Sequence, residues 1–262
     1  MKRNLKFIKT LIKMRMSHLM VFRLSFFGAF FVDCSLFLVQ ILLFKAIYAN
    51  VDSIGGWSSG EVMIFIGTFS LINGINMVIY FFGVISIPNK ISMGELDYYI
   101  TKPVNPLLRI SLESVNPGSI PLIFFSLGLI LYGVADCGIS ITFVKWLQYF
   151  GLVILMTILY YDIELIIRTA SFFVISTVNF TRVEELIELC MKVPGVLFKG
   201  VFKVLFYLIL PYGIIATIPT QILASTISWR GILYACCVTV GFTGLALGLW
   251  KFGLKNYKST SS

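Results

Sequence analysis

Residues 61 to 87 read EVMIFIGTFSLINGINMVIYFFGVISI, and Glu61 is the only charged side chain among them. An α-helix needs about 20 apolar residues to cross a hydrocarbon core of about 30 Å, whereas a transmembrane β-strand needs about half as many. Over the whole chain 58% of residues are hydrophobic and 13% are charged, about half the charged fraction of a soluble domain. The sequence therefore predicts an all-α polytopic membrane protein.

Runs of similar character predict six transmembrane helices. Four of them cover about 24–48, 61–87, 121–135 and 229–252. Another begins near Trp146 and Tyr149 and ends at a turn near 176–182.

The fifth span has two interpretations. Hydropathy alone favours a cytoplasmic amphipathic helix at 183–192 followed by a span at 201–217. The alternative makes 183–198 the span and folds 200–225 into a broken, re-entrant pair of short helices, hinged near Pro211 and Pro219. Irregular backbone at membrane depth requires protein or water around it.

The net charge of +9 follows the expected topology. Basic residues precede the first span at Lys2, Arg3, Lys6, Lys9, Lys13, Arg15 and Arg23, and follow the last at Lys251, Lys255 and Lys258. The positive-inside rule places both termini in the cytoplasm, and residues 1–22 form an amphipathic interfacial helix by their apolar spacing. This distribution argues against a nucleic-acid surface.

Motifs for bound nucleotide, metal or catalysis are missing. The sequence contains no GxxxxGK[ST] loop, its one histidine is His18 in the basic N-terminal segment, and its five cysteines form no CxxC pair. We therefore expect no catalytic, cofactor-binding or metal site, and an intramembrane enzyme lacks a recognisable catalytic set.

The intramembrane charged candidates are Asp33, Asp162, Glu164 and Arg168. Glu164 and Arg168 stand at i and i+4, which suits a helical ion pair, either structural or lining a transport path. Asp33 lies near mid-bilayer, where a functional role and a buried structural hydrogen bond are equally compatible. These acids also permit an alternative function, an ion-coupled secondary transporter, although that class is typically built from inverted repeats with broken helices in both halves.

Small residues mark two helices as places of close approach. The second span carries Gly67, Gly74 and Gly83, and the sixth carries Gly241, Gly244 and Gly248. Such glycines permit either close packing within the chain or dimerisation of the last span.

The loop at 88–117 is the most polar interior stretch, and residues 93–108 within it read MGELDYYITKPVNPLL. A short helix within 91–101 is predicted, with Glu95 and Asp97 near its positive N-terminus and Pro103 ending it. We name residues 92–101 the knob. It is suited to dock in a groove of a soluble partner, unless it is a plain loop between spans.

These residues resemble a known family. Gly-Glu-Leu-Asp at 94–97 and Lys-Pro-Val-Asn-Pro-Leu at 102–107 are similar to the G-x-L-D…R-P-x-x-P-L signature of ABC-2 type ABC transporter permeases, in particular the bacterial six-span branch. Supporting matches are 55–58 with Glu61, Ser171-Phe-Phe, Leu210-Pro and Ile218-Pro219. Departures are Lys102 in place of arginine, Phe173 in place of tryptophan, and a loose proline step at 193–196.

The resemblance implies the permease subunit of an ATP-driven exporter in the bacterial cytoplasmic membrane. A second permease, identical or related, and separate ATPase subunits would complete it. ATP and Mg would be used by the ATPase, and this chain would bind no cofactor directly. The cargo would be a peptide such as a bacteriocin, a drug or a lipid.

It further implies a permease domain at 23–258 that alternates its access, a connecting helix at 1–22 and a re-entrant hairpin at 200–225, which favours 183–198 as span five. The knob resembles the coupling helix, and the implied ATPase-coupling residues are Gly94, Glu95, Leu96, Asp97, Tyr98, Lys102 and Pro103.

Overall fold

The computed structural model describes residues 23–173, 192–224 and 227–257. Helices and turns make up this part of the chain, and within it the only β pairing is an isolated bridge between Ile54 and Trp57. The predicted helix at 1–22, the turn at 176–182 and most of 183–198 lie outside the described residues.

Twelve α-helices are labelled in chain order. They are α1 Arg23–Tyr48, α2 Ser59–Ile79, α3 Phe81–Ile85, α4 Ile87–Ser92, α5 Leu96–Ile100, α6 Pro106–Glu113, α7 Ile120–Asp136, α8 Phe143–Thr169, α9 Gly200–Val204, α10 Tyr212–Ile215, α11 Thr217–Leu223 and α12 Trp229–Asn256. Single 3₁₀ turns occur at Pro117–Ser119, Ala170–Phe172 and Gly195–Leu197, and a π turn at Leu205–Ile209.

Four helical stretches of the described chain are long and apolar enough to cross a membrane: Ser59–Ile79, Pro117–Asp136, Phe143–Phe172 and Trp229–Asn256. A fifth candidate is the pair Gly200–Ile209 and Tyr212–Leu223, which is bent by 78°. Cys34–Tyr48 within α1 is a shorter apolar helix. The all-α polytopic prediction is confirmed, and the count of six spans stays a prediction.

The side chains form two separate cores. The first, the membrane core, contains residues of α1, α2, α7, α8, α10 and α11. The second, the knob core, gathers α3 to α6 with Leu165 of α8 and with Ala246 and Trp250 of α12. Leu96 and Tyr99 of the knob therefore share one core with residues near the ends of two long helices.

Glycines join α2 to α7, as the sequence predicts for Gly67 and Gly74. A Cβ added to Gly67 would lie 2.7 Å from Ile130 Cγ1, and one added to Gly74 would lie 3.2 Å from Ile123 Cγ1. Gly83, after α2, approaches the backbone of α6, where an added Cβ would lie 2.2 Å from Ile110 O.

The glycines of α12 behave differently. No described atom lies within 4 Å of a Cβ added to Gly241, Gly244 or Gly248. Packing within the described chain therefore leaves this face of α12 open, which keeps the dimerisation hypothesis available.

The predicted second span at 61–87 is too long. The helix ends at Ile79 because Tyr80 leaves helical geometry, with φ −136° and ψ −16°, and Pro88 lies in the first turn of a new helix, α4. Hydropathy continues past this break because Val84 and Ile87 are buried in the knob core, at 1% and 0% exposure. Apolar side chains covered by protein are indistinguishable by composition from those covered by lipid.

The predicted helix within 91–101 is interrupted. α4 ends at Ser92 and α5 begins at Leu96, and Gly94 between them has φ +71°. A left-handed residue cannot continue a right-handed helix, and glycine adopts it without steric cost.

Candidate coupling site and intramembrane charges

The knob is anchored by two side chains of α5. Leu96 is 0% exposed and Tyr99 is 7% exposed, and both belong to the knob core. The following helix, α6, has an N-cap at Asn105. The Asn105 side chain accepts hydrogen bonds from the backbone N–H groups of Leu107 and Leu108, at 3.0 and 3.3 Å. The knob is therefore fastened inward by Leu96 and Tyr99 and is followed by a capped helix.

A polar network ties the same side of the knob to its neighbours. Lys90 Nζ lies 2.8 Å from Glu113 Oε1 and donates to Tyr99 OH at 2.7 Å, while Tyr99 OH donates to Glu113 Oε1 at 2.9 Å. Burial lowers the pKa of Lys90, but its hydrogen bonds to Glu113 and Tyr99 outweigh burial and raise that pKa above its ordinary value. Burial raises the pKa of Tyr99. The network thus joins α4, α5 and α6.

The opposite side of the knob is exposed and partly apolar. Met93 is 71% exposed, Tyr98 54% and Ile100 44%. Arg109 and Lys102 lie over the Tyr98 ring, with their charged groups 4.5 and 4.9 Å from its centroid. A hydrogen bond from Arg109, followed by the charges of Arg109 and Lys102, lowers the pKa of Tyr98. Aromatic, Met and Arg side chains together are typical of a protein interface.

The implied coupling residues lie on α5 and on the turns at its two ends, and they play different structural parts. Glu95 is the N-cap of α5 and Asp97 is in its first turn, near the positive end of the helix as predicted. Glu95, Tyr98, Lys102 and Pro103 are exposed. Leu96 faces inward, so it anchors the knob and does not offer a contact to a partner.

The charged residues of α8 occupy opposite faces of the helix. Arg168 Nη2 lies 3.8 Å from Glu164 Oε2, with both side chains 6% exposed, so the predicted i,i+4 ion pair is present. Asp162 is 2% exposed and accepts a hydrogen bond from the Thr243 hydroxyl of α12. Residues two apart on a helix do not face each other, so Asp162 and Glu164 point in different directions.

Asp33 belongs to α1, and its side chain lies outside the described part of the structure. Its proposed functional role is therefore not tested by these contacts.

Several residues of these sites escape sequence reasoning. Thr243 carries no signal beyond being a hydroxyl in an apolar run. The network partners Tyr99 and Glu113 come from different short helices, and only the fold brings them to Lys90. The double tyrosine at 98–99 is the one available hint, since adjacent helical residues point to different sides.

Comparison with protein-family models finds a match to the ABC-2 family transporter protein over residues 34–261. No curated protein and no solved structure matches the chain. The family model spans far more than half of the sequence, including the knob, the charged part of α8 and all of α12. The family implies partnership with an ABC ATPase. The chain therefore belongs to the ABC-2 family and is a multi-pass permease component of an ABC transporter, not itself catalytic.

Proposed function

We propose that this chain is the permease subunit of an ATP-driven exporter in the bacterial cytoplasmic membrane, moved by separate ATPase subunits through the knob. The observation that carries the proposal is that the knob has one buried side and one exposed side. Its outward side exposes Met93, Tyr98 and Ile100, while its inward side is fastened by Leu96 and Tyr99. Exposed apolar patches of this kind mark sites of protein association.

Movement of the knob would reach the long helices directly. Leu165 of α8 and Trp250 of α12 lie in the knob core, and the Phe172 ring packs edge-on against Trp250 with centroids 5.5 Å apart. The break at Tyr80 separates α2 from this assembly. A push from the ATPase would therefore displace α8 and α12 relative to α2, and alternating access would follow.

We also propose that the bent pair at 200–223 enters and leaves on the same side of the membrane. Helices α8 and α12 run in the same direction. Asp162 contacts Thr243, and later in both segments Phe172 contacts Trp250, so the contacts follow the same order along the two segments. Parallel neighbours require an odd number of crossings between the end of α8 and the start of α12.

The position of Leu197 supports a crossing that precedes residue 200. A Cβ added to Gly55, in the loop between α1 and α2, would lie 2.7 Å from Leu197 Cδ2. The chain is thus already at the α1–α2 loop end before α9 begins. This supports a span ending near 198 and a re-entrant hairpin whose bend follows Leu210.

A second permease, identical or related, would complete the transport path. Its support is the apolar surface left uncovered in one chain, notably on α1 and along the open glycine face of α12. The cargo would be an amphipathic molecule such as a peptide, a drug or a lipid.

Co-purification tests the coupling proposal. The Met93→Glu and Ile100→Glu double variant places charge on the outward side of the knob without touching its anchors. We expect it to lose the ATPase that accompanies the wild-type chain from its native membrane. Val51→Glu changes a similarly exposed apolar residue at the other end, 43% exposed, and is the matched control. If both variants retained the ATPase, the knob would not be the docking surface.

A further inference from the structure

A cavity of about 370 Å³ lies between α1, α2 and the segment that begins at Lys192. Leu36, Leu43 and Phe44 of α1 and Phe69 and Met77 of α2 contribute apolar walls. Leu36 and Leu43 are also exposed on the surface of the chain, at 59% and 57%, so the cavity opens sideways from the bundle. Its volume lies toward the lower end of the range for small-molecule sites.

The cavity lies well within the apolar length of the helices. Gln40, on its wall, is eight residues before the end of α1 at Tyr48, which is about 12 Å along the helix axis. Asn73 is fourteen residues after the start of α2 at Ser59, about 21 Å along that axis. Gln40 Nε2 donates to the backbone carbonyl of Lys192 at 2.9 Å, which places Lys192 at the same level.

Two polar side chains of this cavity, those of Lys192 and Asn73, lack partners within the described chain. Lys192 has no ion pair with any described residue, and its side chain is only half-buried and lines the cavity. Asn73 is 7% exposed, and no hydrogen bond joins its side-chain amide to a described residue. A cation and an amide at membrane depth ordinarily pair with another group, because solvation by hydrocarbon is poor.

An anionic group in the cavity would satisfy both residues. The Lys192 ammonium supplies three N–H donors and a positive charge, and the Asn73 amide supplies two further donors. Apolar walls on α1 and α2 would hold a hydrocarbon chain beside these donors. The side opening gives such a molecule a route from the membrane.

We propose that this cavity binds a single-chain amphipathic anion, with Lys192 pairing with its head group and Asn73 donating to it. The inference rests on the proposed function because it identifies single-chain amphipathic anions as the class of cargo that the transporter would carry. A two-chain phospholipid carries the same anionic chemistry, but its second chain would have to lie outside a cavity of this size.

Equilibrium binding of radiolabelled palmitate to the full chain in nanodiscs of zwitterionic lipid tests the proposal. We expect Lys192→Gln to weaken palmitate binding by about tenfold or more, since a charge-assisted hydrogen bond is lost. Lys192→Arg is expected to retain most of the affinity, and Asn73→Leu to lower it several-fold. Lys199→Gln, which removes an exposed lysine seven residues away, is the matched control and is expected to bind as wild type does.

Three outcomes would overturn the proposal. Hexadecanol has the same chain and no charge. Affinity for hexadecanol equal to that for palmitate would show that the head group is not recognised. Unchanged palmitate binding by Lys192→Gln would remove Lys192 from the site. Phosphatidylglycerol binding that depends on Lys192, with no palmitate binding, would identify a structural lipid.

Two controls keep the result interpretable. In size-exclusion chromatography, a monodisperse peak for Lys192→Gln would show that weaker palmitate binding is not caused by misfolding. If Lys192→Gln aggregates, the Asn73→Leu variant gives an independent test of the site. The assay contains no ATPase and no ATP, so its failure would leave the coupling proposal standing. Loss of coupling in the knob variants would leave palmitate binding unchanged.

Discussion

Two adjacent tyrosines in the knob have different environments because their side chains point in different directions. Tyr99 is buried and bonded to Lys90 and Glu113, whereas Tyr98 is exposed between Lys102 and Arg109. Sequence reasoning placed Tyr98 in the coupling set and passed over Tyr99. The helical period separates the two residues, but only the knob core decides which of them faces inward.

The Lys90 network predicts a loss of stability at alkaline pH. The folded-state pKa of Lys90 lies above its ordinary value of 10.5, so its contribution to the free energy of unfolding is fully present below that pH and is lost as pH rises through the folded pKa. We expect the gap in apparent unfolding temperature between wild type and Lys90→Met to narrow as the pH rises above about 10.5. Thermal unfolding of the detergent-solubilised protein measures it.

The matched variants identify the cause. Glu113→Gln removes the partner carboxylate and is expected to flatten the alkaline dependence as Lys90→Met does. Lys251→Met removes an exposed lysine of α12 and is expected to keep the wild-type shape. A constant gap between wild type and Lys90→Met across this range would contradict the assigned role of the network.

At the scale of elements, the α2–α7 pair depends on backbone contact. A Cβ added to Gly133 of α7 would lie 2.7 Å from Gly60 O and 2.8 Å from Ile64 N. Backbone atoms in a packed helix cannot move aside as a flexible side chain can, and overpacking typically costs about 1 to 3 kcal/mol. We therefore expect Gly133→Ala to lower the apparent unfolding temperature by several degrees.

Gly128 provides the control on the same helix. No described atom lies within 4 Å of a Cβ added there, so Gly128→Ala is expected to leave the unfolding temperature nearly unchanged. Equal effects of the two substitutions would mean that helix propensity, and not contact between α2 and α7, governs the response.

Helix boundaries were the weaker part of the sequence prediction. The start and end of α1 and the start of α12 agree with the apolar runs to within a residue. The end of α2 and the break at Gly94 do not, because both occur inside stretches whose apolar residues are buried by the knob core. Composition reports that a residue is buried and does not report what buries it.

At the scale of the whole molecule, the re-entrant hairpin predicts which positions face outside. In a background without the five native cysteines, we expect both Lys199→Cys and Ser228→Cys to react with a membrane-impermeant maleimide added to intact cells. Both positions are exposed and flank the bent pair. Ile100→Cys, on the knob, is expected to react only after the membrane is permeabilised.

The competing topology gives a different pattern. A single crossing at 201–217 would put Lys199 and Ser228 on opposite sides, so Lys199→Cys would stay unlabelled in intact cells. That pattern, with Ser228→Cys labelled, would show that the proposed hairpin is wrong and that span five follows residue 200.

Composition and local pattern are enough to assign the class of the molecule. Apolar runs of helical length indicate a membrane protein, and the signature at 94–107 resembles that of the family whose model matches the chain. Local spacing along one helix also sufficed for the Glu164–Arg168 pair and for the glycines of α2, since both depend on neighbours within a helix or on the absence of a side chain.

Contacts between distant parts of the chain depend on the fold. The Lys90–Tyr99–Glu113 network, the Asp162–Thr243 bond and the cavity with Asn73 and Lys192 bring together residues from different elements. These groups are buried together, where leaving a polar group without a partner costs free energy, and the packing of the helices determines which groups come close enough to pair. The order of residues along the chain does not show which residues become neighbours after folding.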